Sequence, residues 1–401
     1  MPGESLKRRA EEAIRALAPE LIVVAREIHA NPELAFAEYF AVDRLCRSLN
    51  LHGLAPRTAA YGPGTSFDVE FGAASGPVVC IISEYDALPQ VGHACGHNII
   101  ASAGLGAALG LSMLASALPG RVRYLGAPAE ESGGGKEIMA RAGAFEGVDC
   151  AMMVHPATQN LPAMPLIAAT GATVRYRGRS AHASSAPEHG VNALDALVIS
   201  YQAIAALRQH LPVGQRVHGV ITAGGDAPNT IPELAAARYQ IRAPKLQQLL
   251  ELQKRVEAAF QAGALAAGAT VDVAWDDVVY ADMQTNWALA RAYQANAELL
   301  GRAFDSYEDI PLSAAASSDM GNVSLRVPSI HPMIAMAPAG VKHHHPDFAE
   351  WSNSDLGMVA VVDGAIAMAQ TAIDFMMNED LRLRVEAEFQ ATMAERRLIS
   401  P

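Results

Sequence analysis

Cys95 and His97 stand one residue apart, Glu130 and Glu131 are adjacent, His155 precedes Pro156, and His343, His344 and His345 run in series. Thiolate, imidazole and carboxylate are the side-chain groups that bind divalent cations such as zinc. Donors at positions i and i+2 fall on one side of an extended segment, so Cys95 and His97 are expected to converge on a single point. Taken singly, each feature has a plainer explanation. Cys95 could be a buried structural thiol beside a solvated histidine. The glutamate pair could be a charged helix start favoured by the helix dipole, and His155 and the histidine run could be loop residues. A tag is excluded for the run, because 56 residues follow it.

Taken together, the donors exceed what one tetrahedral ion needs, and a two-metal site with a bridging ligand is the expectation. One of the paired glutamates would bind metal and the other would take a proton from bound water, whose pKa a divalent ion lowers from about 16 towards about 7. Hydrolysis is the chemistry such a site performs. A thiolate donor favours zinc, with manganese or cobalt loaded according to availability.

These donors need elements that bring them together. Residues 77–83 (PVVCIIS), 122–126 (VRYLG) and 150–154 (CAMMV) are almost uniformly apolar, as strands covered on both faces by helices are. In open α/β sheets, function gathers beyond the carboxyl ends of the strands. The donor clusters follow these strands and the apolar stretch 330–337. After residue 168 the texture changes to a strand with one wet face, ATVRYR. A helix over 190–210, strands over 217–224 and 234–243, a helix over 246–264 and a strand over 270–275 complete a βαββαβ order, which is ferredoxin-like. The α/β texture resumes with a helix over 286–302, the 330–337 strand and a long final helix over 354–377. The expected fold class is therefore α/β. A catalytic metal-binding domain spans 1–168 and 283–401, and a ferredoxin-like lid domain spans 169–282.

Composition narrows the partners. The chain has 401 residues, 51% of them hydrophobic and 18% charged, enough to bury a large core in more than one domain. Lys plus Arg number 30 against 42 Asp plus Glu, a net charge of −12, the wrong sign for binding nucleic acid through its phosphates. Four scattered cysteines are no disulfide framework and suit a reducing compartment. The N-terminus interleaves acids and bases where a secretory signal would be apolar, so a cytoplasmic location is expected. Residues 99–118 carry no charge and are long enough to span a bilayer. They also carry a small-xxx-small pair at Gly106 and Gly110, but they are rich in Ala, Gly and Ser and lack an aromatic belt, so a buried helix packed closely against the sheet is expected instead of a membrane partner.

The motifs EYDALP, GHACGHN, PAEESGGGK, VHP, HASSAPEHGVNALDA, NTIPE, SSDMGNVS and HHHPDF, with HANPELAF near the start, are together similar to the aminoacylase and carboxypeptidase G family of co-catalytic metallopeptidases. Within it the chain resembles the amidohydrolase branch of indole-acetyl-amino-acid hydrolases, aminobenzoyl-glutamate hydrolase subunits and β-alanyl-dipeptidase-like proteins. The resemblance covers nearly the whole chain. It implies a zinc-peptidase α/β domain with a lid that also mediates homodimerisation, and hydrolysis of N-acyl amino acids or dipeptides. It further implies that Cys95 bridges two divalent metals, with His97, Glu131, His155 and His344 completing the shell, while Glu130 acts as general base and Asp86 orients a ligand imidazole. His344 is selected by its spacing to Phe348, with His343 and His345 as alternatives; Glu84 is not assigned to metal. In the lid, His182 would steady the oxyanion in the partner subunit's site, and Asn229 and Arg242 would bind substrate. Ser318 and Gly321 of the SSDMGNVS loop are expected to line the pocket. Two rivals remain: a hydrolase with Cys95 as nucleophile, and a non-catalytic metal-binding subunit.

Overall fold

The computed structural model describes residues 2–311 and 314–399, which divide into two compact units, Met1–Pro165 with Met283–Pro401, and Leu166–Asp282. The first unit opens with α1 (Pro2–Ala30), α2 (Tyr39–Leu51), β1 (Arg57–Thr58), β2 (Phe67–Gly72), β3 (Val78–Glu84), α3 (His97–Ser112), β4 (Arg121–Ala127), α4 (Gly135–Arg141), β5 (Cys150–Met152) and β6 (His155–Ala157). The second unit supplies β7 (Ala168–Arg177), α5 (Ala193–Arg208), β8 (Arg216–Ala223), β9 (Leu234–Ala243), α6 (Leu246–Ala267) and β10 (Thr270–Trp275). The chain then returns to the first unit with α7 (Trp287–Leu299), α8 (Met320–Ser324), β11 (Ser329–Ile330), β12 (Met333–Ala335), α9 (Pro346–Ser352), α10 (Asp355–Met377) and α11 (Glu379–Ile399).

In the first unit a six-stranded sheet has the order β1-β2-β4-β3-β5-β11, with β4, β3, β5 and β11 parallel and β2 antiparallel to β4. Every residue of β3 and β5 is buried, which is why these segments read as unbroken apolar runs. The 330–337 segment is broken in two, and the strand expected over 150–154 stops at Met152. After β5 and β11 the chain leaves this sheet, and β6 and β12 pair in a separate two-stranded parallel ribbon. His331 and Pro332 occupy the break after β11, where Pro332 has no N–H to continue a ladder.

The Ala-rich segment forms α3, buried along its length up to Leu111. Its glycines permit backbone-distance packing: a Cβ on Gly106 would lie 2.7 Å from Leu21 of α1 and 2.9 Å from Ala365 of α10, and one on Gly110 would lie 2.4 Å from Ile14. Among the described residues the helix long and apolar enough to cross a membrane is instead α10, and 83% of its most apolar window is buried inside the protein. The charged helix α11 follows it, where a last helix ending near residue 377 was expected. The all-round polarity of α11 hides its period.

The second unit is an antiparallel sheet of order β10-β7-β9-β8 with α5 and α6, the βαββαβ order read from the sequence. Its inner face carries Val174, Tyr176, Ala237, Tyr239 and Ile241, which pack with Leu197, Ile204, Val256 and Phe260 of the two helices. Asn192 caps α5 by accepting from Leu194 and Asp195 N–H at 2.9 and 3.2 Å.

Candidate active site

β3 ends at Glu84, and the chain passes Asp86 and Cys95 before entering α3 at His97. Gly96 between the two donors is left-handed, φ +79°, and a Cβ there would stand 2.5 Å from Pro156 Cγ. Cys95 and His97 therefore converge through a glycine turn at a helix start, and the extended-segment explanation is corrected: α3 begins at His97 itself. Cys95 Sγ lies 3.7 Å from His155 Nε2. Three sets of side chains each place donor atoms within 4.8 Å of one another: Cys95, His97 and His155; Cys95, Glu131 and His344; and Glu84, His97 and Glu130.

The histidine run resolves by what each ring touches. His344 Nε2 is 3.5 Å from Glu131 Oε2, reached from a left-handed backbone at φ +62°. His343 instead donates from Nε2 to the Pro156 carbonyl at 3.2 Å and packs on Phe348, ring centroids 4.1 Å apart. The Nδ1 of His345 accepts from Asp347 N–H at 3.3 Å and so caps α9.

Neighbouring groups orient these side chains. His97 donates from Nδ1 to Asp86, 2.9 Å to its carbonyl and 3.1 Å to Oδ1, which leaves the Nε2 lone pair facing the cluster. The other Asp86 oxygen accepts from Glu131 N–H at 2.9 Å. His155 Nδ1 donates to the Pro156 carbonyl at 2.8 Å, so its Nε2 is also free as a ligand. Glu38 braces the loop before the glutamate pair: it accepts from Phe36 N–H at 3.0 Å, Ala129 N–H at 2.9 Å and Thr65 hydroxyl at 2.6 Å. Ala129 has φ +59°, a strained conformation for alanine that such a contact helps to hold. Glu130 and Glu131 then lie in a turn ahead of α4.

The electrostatics fit a cation centre. Burial, then the carboxylates of Glu84 and Glu131, push Glu130 well above the usual carboxylate range. Burial and the adjoining His331, His343 and His97 hold His155 well below its ordinary value, hence neutral as a ligand must be. Burial opposes the imidazolium of His97, yet Glu84 and Asp86 outweigh it and the group is raised: the acids around this ring call for a positive charge, which a bound cation would supply in place of the Nε2 proton. Burial followed by Glu131 pushes the Cys95 thiol well up. Four buried atoms, Glu84 Oε1, His97 Nε2, Glu131 Oε1 and His331 Nε2, make no hydrogen bond among the described residues. Leaving one such atom unsatisfied costs about 1–3 kcal/mol, and several clustered together fit a place where a cation replaces the missing donors. The donor types, one thiol with imidazoles and carboxylates, suit divalent ions of zinc-like softness.

The second unit has its own arrangement. His182 is exposed, and its Nδ1 accepts from Ser184 and Ser185 N–H at 3.3 and 3.2 Å. The neutral ring must then carry its proton on Nε2, as a donor. Asn229 lies beside it, its carbonyl accepting from Ala183 N–H at 3.0 Å, and His182 bridges Thr230. Arg242 stands near the far end of β9, eight residues beyond Leu234 and so roughly 27 Å along the strand at about 3.4 Å per residue. One copy of this unit thus separates Arg242 from the corner holding His182 and Asn229.

Ser318 and Gly321 are both buried: the Ser318 hydroxyl accepts from Met320 N–H at 3.2 Å, and Gly321 lies within α8. Between them Asp319 is fully buried, its Oδ1 2.7 Å from the Lys136 ammonium. Sequence reasoning passed over Asp319, Lys136, Glu38 and His331 and left Glu84 unassigned. The first two lie inside quoted motifs, SSDMGNVS and PAEESGGGK, but a single charge in a motif gives no sign of its partner. His331 is fully buried, and its Nδ1 donates to the Met153 carbonyl at 2.9 Å with the ring 5.4 Å from that of His155.

Comparison with known proteins agrees with this geometry. The peptidase dimerisation domain of the M20 family matches residues 168–267. The chain is 39% identical to the Xaa-Arg dipeptidase of Mus musculus over 99% of its own length and 95% of that protein, and 35% identical to that of Homo sapiens with the same coverage. The fold is shared with a dinuclear metal-binding M20 peptidase of Bacillus subtilis, with a TM-score of 0.69 at 21% identity, covering 91% of this chain and 99% of that one. An α/β unit carrying clustered thiol, imidazole and carboxylate donors, an inserted βαββαβ unit and end-to-end similarity to the dipeptidases place this chain in the M20 peptidase family of amide-bond hydrolases.

Proposed function

We propose that the chain is a two-metal hydrolase of dipeptides and related N-acyl amino acids, acting as a homodimer in the cytoplasm. The observation that carries this reading is the convergence of Cys95, His97 and His155 with Glu131 and His344 beside Glu130. Cys95, whose thiolate is shared by two of the donor sets, would be the bridge, and His97, Glu131, His155 and His344 would be the other ligands. Zinc suits the thiolate best, with manganese and cobalt as the alternatives. Bound divalent ions would polarise the scissile carbonyl and bring the pKa of water close to neutrality.

The rest of the chemistry belongs to the protein. Glu130, held above the usual carboxylate range by burial and by Glu84 and Glu131, takes a proton from water and returns it to the leaving amine. Asp86 keeps His97 in one tautomer and ties the backbone of Glu131 to the same carboxylate. His182, with its proton on Nε2, donates to the developing oxyanion, and in the dimer it serves the partner subunit's site. Asn229 works from the same corner, and Arg242 grips the substrate carboxylate. The wide separation of Arg242 from His182 and Asn229 supports a division of labour between subunits, as does the match to a dimerisation domain. Ser318, whose hydroxyl accepts from Met320 N–H, and Gly321 of the same loop would line the substrate pocket.

Cys95 as nucleophile is disfavoured, because its thiol is shared by two of the donor sets and is thereby committed to the cation centre. The end-to-end similarity to Xaa-Arg dipeptidases supports dipeptides ahead of aryl and acyl conjugates. A hydrolysis panel tests this directly: Xaa-Arg and Xaa-Lys dipeptides, β-alanyl dipeptides, N-acetyl amino acids and aminobenzoyl-glutamate, each with the zinc-, manganese- and cobalt-loaded enzyme. Turnover of dipeptides above the others is expected. Turnover of none of them would turn the assignment towards a non-catalytic subunit.

A further inference from the structure

Glu84, Lys136 and Asp319 are charged side chains with no exposed surface, contributed by the end of β3, the start of α4 and the residue before α8. The Lys136 ammonium bonds to Glu84 Oε2 and, at 2.7 Å, to Asp319 Oδ1. Asp319 Oδ2 also accepts from Lys136 N–H at 2.8 Å, so one carboxylate holds both the backbone and the side chain of the lysine. Glu84 has one oxygen committed to Lys136. Its other oxygen, Oε1, lies 3.2 Å from His97 Nε2, and neither of these two atoms makes a hydrogen bond among the described residues. Glu130 completes this donor set, its Oε2 3.9 Å from the same nitrogen.

Stability does not account for such an arrangement. Buried ion pairs lose several kcal/mol per ion in desolvation, and well-packed apolar replacements are often neutral or stabilising. The network does have a geometric product: a carboxylate oxygen free of hydrogen bonds, fixed beside the free nitrogen of His97. It also places an ammonium among the acids Glu84, Asp319 and Glu130, each of which stabilises the charge on Lys136.

We propose that Lys136 and Asp319 form a clamp that aims Glu84 at the cation position served by His97, and that this clamp determines how tightly that position binds a divalent ion. The three are positioning residues for the centre described above, and the inference rests on that reading. Loss of Lys136 frees Glu84 to turn away and leaves two buried carboxylates without a counter-charge. The cation position served by Cys95, Glu131 and His344 lies outside the clamp.

Zinc binding to the purified full-length protein tests this, by elemental analysis after gel filtration and by competition with a chromophoric chelator, alongside circular dichroism and thermal unfolding of the metal-free forms. Lys136→Met is expected to weaken one of two zinc equivalents roughly 10- to 100-fold, the range for residues that orient metal ligands, and to leave the other unchanged. Asp319→Asn and Glu84→Gln, nearly isosteric, are expected to weaken the same equivalent and carry the test if Lys136→Met does not fold. Folded variants that bind both equivalents as tightly as the parent would overturn the clamp while leaving the hydrolase reading intact. A parent protein that binds no zinc would remove both.

Discussion

The two units handle their polar side chains in opposite ways. In the larger unit, Glu84, His97, Lys136 and Asp319 have no exposed surface, and Lys136 ties Glu84 to Asp319 across distant parts of the chain. In the smaller unit, His182 is exposed, and Arg175, Arg177 and Arg238 point outward from the wet face of the sheet. The larger unit has its helices on a buried parallel sheet, and its chemistry collects in a dry place where charges interact strongly and positions are fixed. The smaller unit keeps one sheet face for solvent, so what it displays must meet something arriving from outside. Burial is therefore expected to govern chemistry and cation affinity, and display to govern what is recognised.

Four substitutions sharpen or break that contrast. Glu130→Gln removes the proton acceptor and is expected to lower kcat about 10²- to 10⁴-fold with metal content unchanged, read by steady-state kinetics beside elemental analysis. Retained activity would eliminate Glu130 as the base. On the displayed side, His182→Ala is expected to cost about 10²- to 10³-fold in kcat, as loss of one oxyanion donor does, with an unaltered melting curve. A raised KM at constant kcat would make it a binding residue instead. Asp86→Ala releases His97 and Glu131 together, and metal affinity is expected to fall roughly 10- to 100-fold, measured by chelator competition; unchanged affinity would show that burial alone fixes His97. The smallest effect lies furthest from the chemistry. Asn192→Ala removes the cap of α5 and is expected to destabilise by about 1 kcal/mol, a shift of a few degrees in Tm with kcat untouched.

The same contrast explains what could be read in advance. Strands β3 and β5 declare themselves because burial on both faces leaves almost only apolar residues, β4 through its apolar end after two part-exposed arginines, and β7, β9 and β10 because one wet face imposes alternation. The donors Cys95, His97, Glu131, His155 and His344 were legible because they follow strand ends, and their motifs resemble a known family. Lys136 and Asp319 were not: 183 residues separate them, and no periodicity links two charges that meet only after folding. The convergence of Cys95 and His97 was anticipated for the wrong reason. The left-handed turn at Gly96 follows from the approach of Pro156, a contact that local spacing does not encode. The split of the 330–337 stretch was hidden in the same way, since Ile330 of β11 and the residues of β12 are all apolar while their strands take different partners, β5 and β6.

One carboxylate has a temporal consequence. Glu38 gathers Phe36, Thr65 and Ala129 around itself, so the backbone leading into Glu130 and Glu131 is not set until segments up to 91 residues apart have found each other. Forming contacts of such long range is slow compared with forming helices. During refolding, helical signal should return before competence does, and the delay between them times the arrival of the N-terminal helices at the loop they brace.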